Sequence, residues 1–212
     1  MCSGRVDLAF VLRAFLNGMD GVFVGACRLN ECNYITHGNY HALSMVLLCK
    51  KIMGHIGLNP ERLRIEFMSA GDGILFTEVI NDFGKKVKEM GPLGKSEGMD
   101  EKALKLKLES VNKMVPYIKL VERERLAIPV KSEEAYRRFF ASEEFDRLFD
   151  ELIASRLAMS QIMLLLQQKP LSTGEISEVL GLNPSEVSRH INRSSRQGFI
   201  RYDESQKCYA LA

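Results

Sequence analysis

The sequence predicts an α/β protein: a small open parallel sheet of Rossmann- or flavodoxin-like winding, then a helical region, then a winged helix-turn-helix. Three observations predict it. Short apolar runs bounded by glycine alternate with segments of helical period as far as Pro92. Beyond Pro92 the period is helical only. From Leu171 the chain reads helix, tight glycine turn, helix, hairpin.

In chain order, Val6 to Leu16 carries Val6, Phe10, Leu12, Phe15 and Leu16 at helical spacing, closed by Asn17-Gly18. Gly21 to Gly25 is a short apolar run framed by glycine and reads as a buried parallel strand, with Cys27 just past its carboxyl end. Asn39 to Gly57 is a long helix. Pro60-Glu61-Arg62 leads into an alternating strand, Leu63 to Met68, and Ser69 to Gly73 turns the chain. Ile74 to Met90 is the next helix, with Phe76, Val79, Ile80, Phe83 and Val87 on one side. Two strands are few for a doubly wound sheet, so a first strand is expected to be missing from this sequence.

Pro92 to Gly98 reads as a linker. Asp100 to Met114 or beyond forms a helix that Pro116 should interrupt or kink. Ser132 to Phe140 and Ser142 to Gln168 are further helices, each opened by a capping serine and followed by acids. Asn183-Pro184 opens the second helix of the terminal motif, which runs to Arg196, and Gln197 to Tyr202 and Lys207 to Leu211 form the wing. Three domains are expected: residues 1–92, a helical connector at 93–150, and a winged helix-turn-helix at 151–212.

A formal charge of +2 implies no global pull on nucleic acid or membrane. No apolar run is long enough to span a bilayer. Five cysteines without a signal peptide argue against a secreted disulfide framework and for a reducing cytoplasm.

The cysteines carry the candidate chemistry. Cys2 precedes Ser3-Gly4, and Cys27 and Cys32 form a Cys-x4-Cys step in a polar loop framed by Gly25 and Gly38. Thiols so placed could bind metal, carry an iron–sulfur cluster, attack a substrate or pack inertly. Structural zinc wants repeated pairs, and one such pair is visible. No glycine-rich nucleotide fingerprint is present: Gly71-Asp72-Gly73 lacks the third glycine and is read as a turn.

The wording around the cysteines is more specific. Met1-Cys2-Ser3-Gly4-Arg5-Val6-Asp7, Asp20-Gly21-Val22-Phe23-Val24, Gly25-Ala26-Cys27, Glu31-Cys32-Asn33-Tyr34, Gly38-Asn39-Tyr40 and Gly57-Leu58-Asn59-Pro60-Glu61-Arg62 follow one another in order. Together they resemble the delta subunit of methyl-viologen-reducing hydrogenase, over roughly the first ninety residues. The resemblance implies a [2Fe-2S] cluster with Cys2, Cys27 and Cys32 as ligands. It implies a non-catalytic electron-relay subunit between a hydrogenase or other donor dehydrogenase and a flavin-bearing heterodisulfide-reductase-like subunit. It also implies a further strand and a Cys-x-x-Cys-like segment before Cys2, since such clusters take four protein ligands. Cys49 is the fallback ligand, although its place in the middle of a helix reads as a core thiol; Cys208 reads as structural. Ser3 and Gly4 could donate backbone N–H groups to cluster sulfurs, and Arg5, Arg28 or His37 could offset cluster charge. A solvated loop residue is the preferred reading of Arg28, and capping or packing that of His41.

In the terminal motif, Ser185, Ser188, Arg189, Asn192 and Arg193 would face a DNA major groove. From Ser172 onward, however, basic and acidic residues balance, which favours a protein-docking module over phosphate binding. The rival function is a redox- or metal-responsive winged-helix transcription regulator. A zinc-stapled scaffold is a third reading.

Overall fold

The computed structural model describes residues 2–34 and 38–212. A 3-10 turn at Ser3–Arg5 leads into helix α1 (Leu8–Leu16), whose first turn is capped by Asp7 accepting from the Ala9 N–H at 2.9 Å. Strand β1 (Val22–Ala26), helix α2 (Asn39–His55), strand β2 (Leu63–Phe67) and helix α3 (Gly73–Met90) follow. β1 and β2 pair in parallel, with Val22 opposite Leu63 and Ala26 opposite Phe67. Among the described residues no further strand joins this sheet.

Helix α2 is buried on nearly every side. Ala42, Leu43, Val46, Cys49, Ile52 and Met53 are fully enclosed, which is why its apolar residues make no single stripe. It packs between the sheet, α1 and the helical middle of the chain, so one continuous core runs from Leu8 to Leu157.

The stretch expected as a linker is a packed clasp. Arg62 is wholly buried; its guanidinium donates to Glu97 at 2.6 Å, to the carbonyls of Asp20 and Gly91 at 3.0 and 2.9 Å, and to Ser96 Oγ at 2.6 Å. Leu93 N–H donates to the Asp20 carboxylate at 2.7 Å. The glycines that suggested flexibility, Gly91, Gly94 and Gly98, instead supply the positive φ angles that let the backbone curl around Arg62.

Helix α4 (Glu101–Arg125) is not interrupted at Pro116. Pro116 and Asn112, whose carbonyl loses its partner, both lie on the exposed face, so the freed group is on the side open to solvent. Met114, Val115, Ile118 and Val121 stay buried on the other face and hold the helix on course. Helices α5 (Glu133–Phe140), α6 (Glu143–Phe149) and α7 (Ser155–Gln168) follow. The single helix expected from Ser142 to Gln168 is divided by a π-helical turn at Asp150–Ala154. Phe145, Phe149, Ile153 and Leu157 recur every fourth position and all are buried. A strict α-helix would rotate such a series by about 40° per step, and a wider turn brings it back to the core.

The terminal motif forms as expected. Helix α8 (Thr173–Leu180) opens on a Ser172–Glu175 capping box and ends at Gly181 with φ 67°. Helix α9 (Pro184–Arg196) is capped by Asn183, and strands β3 (Ile200–Asp203) and β4 (Cys208–Leu211) form an antiparallel hairpin. Ile162, Leu165 and Leu166 of α7 pack with Ile176, Val187, Ile191 and Ile200, so α7 is the third helix of this unit. Among the described residues no helix is long and apolar enough to cross a membrane.

Candidate functional site

Parallel pairing places the carboxyl ends of β1 and β2 on one edge. The loop leaving β1 there carries Cys27, Arg28 and Asn30. The buried Asn39 side chain, at the start of α2, donates to the carbonyls of Cys27 and Arg28 at 3.0 and 2.7 Å. The Tyr40 hydroxyl donates to Asn30 at 2.8 Å, with Asn30 at φ 71°. Two side chains of one rigid helix thus fix the loop. The Ser3–Arg5 turn brings Cys2 in from the amino-terminal side.

The three sequence-predicted cysteines meet here. Cys2 Sγ lies 3.9 Å from Cys32 Sγ. A tetrahedral ion with bonds of about 2.3 Å to sulfur sets two such sulfurs about 3.8 Å apart, so this pair fits a shared thiolate-bound centre. Gly4 N–H donates to Cys2 Sγ at 3.4 Å, as the sequence led one to expect. The backbone N–H of Tyr34, with further hydrogen bonds from Asn39, Cys27 and Cys2, holds the Cys32 thiol below its ordinary range. Burial, hydrogen bonding to Cys32 and the charges of Cys32 and Cys2 push the Cys27 thiol up. The trio is adjacent without being closed: among the described residues no three His, Cys, Asp or Glu side chains form a ready metal cage. Gly38 lines the same spot. A Cβ there would stand 2.4 Å from Cys32 Sγ and 2.2 Å from the Tyr34 carbonyl, so only glycine lets α2 start this close to the sulfur.

The remaining thiols stand apart. Cys49 is sealed in the α2 core, where burial pushes its thiol up to about 12, and it does not reach the trio. Cys208 lies in the wing. Arg28 is bound to Asp72 at 2.7 and 2.9 Å, and His37 lies outside the described residues.

A cavity of about 680 Å³ opens beside Cys2, lined by Arg5, Asp7, His41, Lys119 and Glu122 among others. Lys119 of α4 donates to Asp7, tying the amino-terminal turn to the helical middle. Glu122 Oε1 is buried and has no hydrogen-bond partner among the described residues. Burial, opposed by a hydrogen bond with Ser44 and the charge of Lys119, raises its pKa. Sequence reasoning missed Glu122, Lys119 and Arg62. Each sits in a solvated-looking pattern of charges; packing of distant elements encloses Arg62 and the Glu122 carboxyl and brings the exposed Lys119 against Asp7.

In the terminal motif, Ser185, Ser188, Arg189, Asn192, Arg193 and Arg196 line one open groove along α9. These include every residue the sequence placed on the recognition face.

Residues 1–91 match the family model described as methyl-viologen-reducing hydrogenase, delta subunit. The vhu iron-sulfur subunit of the F420-non-reducing hydrogenase of Methanopyrus kandleri is 35% identical over 92 residues, which are 43% of this chain and 69% of the relative. The chain belongs to the methyl-viologen-reducing hydrogenase delta subunit family. The delta-subunit module is also 43% identical over 91 residues to the iron-sulfur subunit of the F420-non-reducing hydrogenase of Archaeoglobus profundus, covering 66% of that protein. It is 47% identical over 94 residues to a chain of the ferredoxin/F(420)H(2)-dependent CoB-CoM heterodisulfide reductase of Methanosarcina acetivorans, of which it spans only 12%. Downstream of the delta-subunit module, residues 158–202 match the model described as bacterial regulatory protein, arsR family.

Proposed function

We propose that this chain is an electron-transfer subunit that binds a [2Fe-2S] cluster through Cys2, Cys27 and Cys32. It passes electrons between a hydrogenase or other dehydrogenase and a flavin-bearing heterodisulfide-reductase-type subunit. The observation that carries this reading is the convergence of three thiols from two segments, the amino-terminal turn and the loop after β1, with Cys2 and Cys32 3.9 Å apart, inside the delta-subunit module. When bound, the cluster supplies a one-electron relay. The chain's own residues hold and tune it: Gly4 donates a hydrogen bond to Cys2 Sγ, and the backbone N–H groups of Tyr34 and Asn39 favour the thiolate form of Cys32 that ligation needs. The buried thiol of Cys49 is unsuited to supply a fourth ligand. We further propose the division of the chain at 1–92, 93–150 and 151–212, with the first part as the relay.

Anaerobic purification of the full chain, with assays of iron and acid-labile sulfide and a visible absorption spectrum, tests this reading. Iron and sulfide in a one-to-one ratio with cluster absorption are expected; zinc without sulfide, or neither metal nor sulfide, overturns it.

A second reading, a redox-responsive nucleic-acid-binding regulator, is favoured by one observation: the α9 groove gathers Arg189, Arg193 and Arg196 on an open face. A salt-dependent gel shift tests it.

A further inference from the structure

The first turn of α3 stands in solvent. Ile74 is 81% exposed, Phe76 46% and Leu75 40%. Consecutive exposed apolar residues of this size mark contact surfaces. The patch is not confined to the helix: Phe23 of β1 meets Phe76 edge-on with ring centroids 6.4 Å apart, so it continues onto the sheet. A shallow, open depression lies beside Ile74, lined by Gly71, Gly73, Thr77 and Glu78.

The patch lies on the same sheet edge as the thiols. Arg28, next to Cys27, is bound to Asp72, which immediately precedes α3. That ion pair neutralises itself, so the ground between the thiol loop and Ile74 presents no net charge to repel a partner. A chain seated on Ile74 and Phe76 is therefore brought against the loop that carries Cys27, where an electron would have to leave.

We infer that this patch is the docking face for the electron-exchanging partner, and that the partner is a heterodisulfide reductase chain of the kind to which this module is joined in Methanosarcina. The inference rests on the electron-transfer reading above and deepens it. The occupant is chosen on a comparison of chains. In Methanosarcina acetivorans and Methanosarcina mazei, a stretch 47% and 46% identical to this module is part of the heterodisulfide reductase polypeptide itself, each match covering 12% of it. In Archaeoglobus profundus and Methanopyrus kandleri the matching protein is a separate iron-sulfur subunit. A module found both joined to a chain and free of it needs, when free, a surface that holds it to that chain. A second copy of this protein fits less well, because self-association on this face would crowd the edge through which the electron passes.

The test uses the full chain with its iron and sulfide content verified, and a purified heterodisulfide reductase chain of that kind lacking a fused delta-subunit module. Binding is followed by interferometry and the assembly state by light scattering. Ile74→Glu/Phe76→Glu gives up the Phe23–Phe76 ring contact, so its melting temperature should fall slightly while its circular dichroism and visible spectrum match the parent. We expect the double variant to bind the reductase chain at least about tenfold more weakly. Val130→Glu, at a residue 61% exposed elsewhere on the surface, should bind as the parent does. Equal binding by parent and double variant overturns the assignment of the patch. A cluster-bearing parent that does not bind the reductase chain overturns the choice of partner. A parent homodimer that the double variant dissolves gives the patch to a second copy and overturns the proposal. Failure of the relay reading itself shows separately, in the iron and sulfide assays.

Discussion

The Arg62 guanidinium, wholly buried, grips the Glu97 carboxylate at 2.6 Å and closes the turn that joins the sheet-bearing part of the chain to α4. Removing one partner strands the other charge in a dry site. Arg62→Ala is expected to destabilise the fold by about 3–5 kcal/mol in urea titrations. Burial opposes ionisation of Glu97, but its hydrogen bond and charge contact with Arg62 outweigh it and hold the carboxyl below its ordinary value of 4.5. A depressed carboxyl stabilises the fold above the unfolded pKa and loses that contribution as pH falls through the folded value. The parent should therefore lose stability on acidification below pH 4.5, and Glu97→Gln should flatten that loss while lowering stability at pH 7.

Gly38→Ala should act on the site and spare the fold. The new methyl collides with Cys32 Sγ and the Tyr34 carbonyl, so the loop must withdraw. Bound iron per chain is expected to fall severalfold, while far-ultraviolet circular dichroism stays at the parent value. Unchanged iron would show that Cys32 tolerates displacement.

The five thiols should separate into two classes. Cys2→Ser, Cys27→Ser and Cys32→Ser should each abolish cluster absorption. Cys49→Ala should keep it, at a cost of about 1 kcal/mol for the small cavity left in the core. Iron assays across the series check the division.

Glu122 gives the opposite pH behaviour to Glu97. Burial raises its carboxyl above the ordinary 4.5, so the folded state holds the proton more tightly than the unfolded state. Its contribution is most favourable at low pH and declines as pH rises from the unfolded pKa through the folded value. Glu122→Gln should stabilise the protein at pH 8 by about 1 kcal/mol, since an amide buries no charge. Thermal melts at pH 5 and pH 8 should show the gain only at the higher pH.

If α9 engages nucleic acid, Arg189→Ala and Arg193→Ala should each lower the salt dependence of binding by about one ion. A salt slope that neither substitution moves would turn the groove over to protein contacts.

Local signals carried much of this fold. The helical spacing of Leu12 and Phe15, the capping residues Ser132, Ser142 and Asn183, and Gly181 at the turn between α8 and α9 each act over a few residues, so their consequences can be read from the chain alone, although Phe10, counted on the same apolar face, stands in solvent and Val11 takes its place in the core. The motif wording likewise singles out Cys2, Cys27 and Cys32, of which Cys2 and Cys32 lie 3.9 Å apart. Tertiary packing decided the rest, because it depends on which distant surfaces meet. Pro92 to Gly98 became a clasp only because Arg62 lies beneath it, and Pro116 was tolerated only because the carbonyl it frees is on the side open to solvent. The Glu122 carboxyl, on α4, became enclosed only when α2, with Ser44, packed against it. Periodicity records which side of an element is apolar; it does not record what that side will be pressed against.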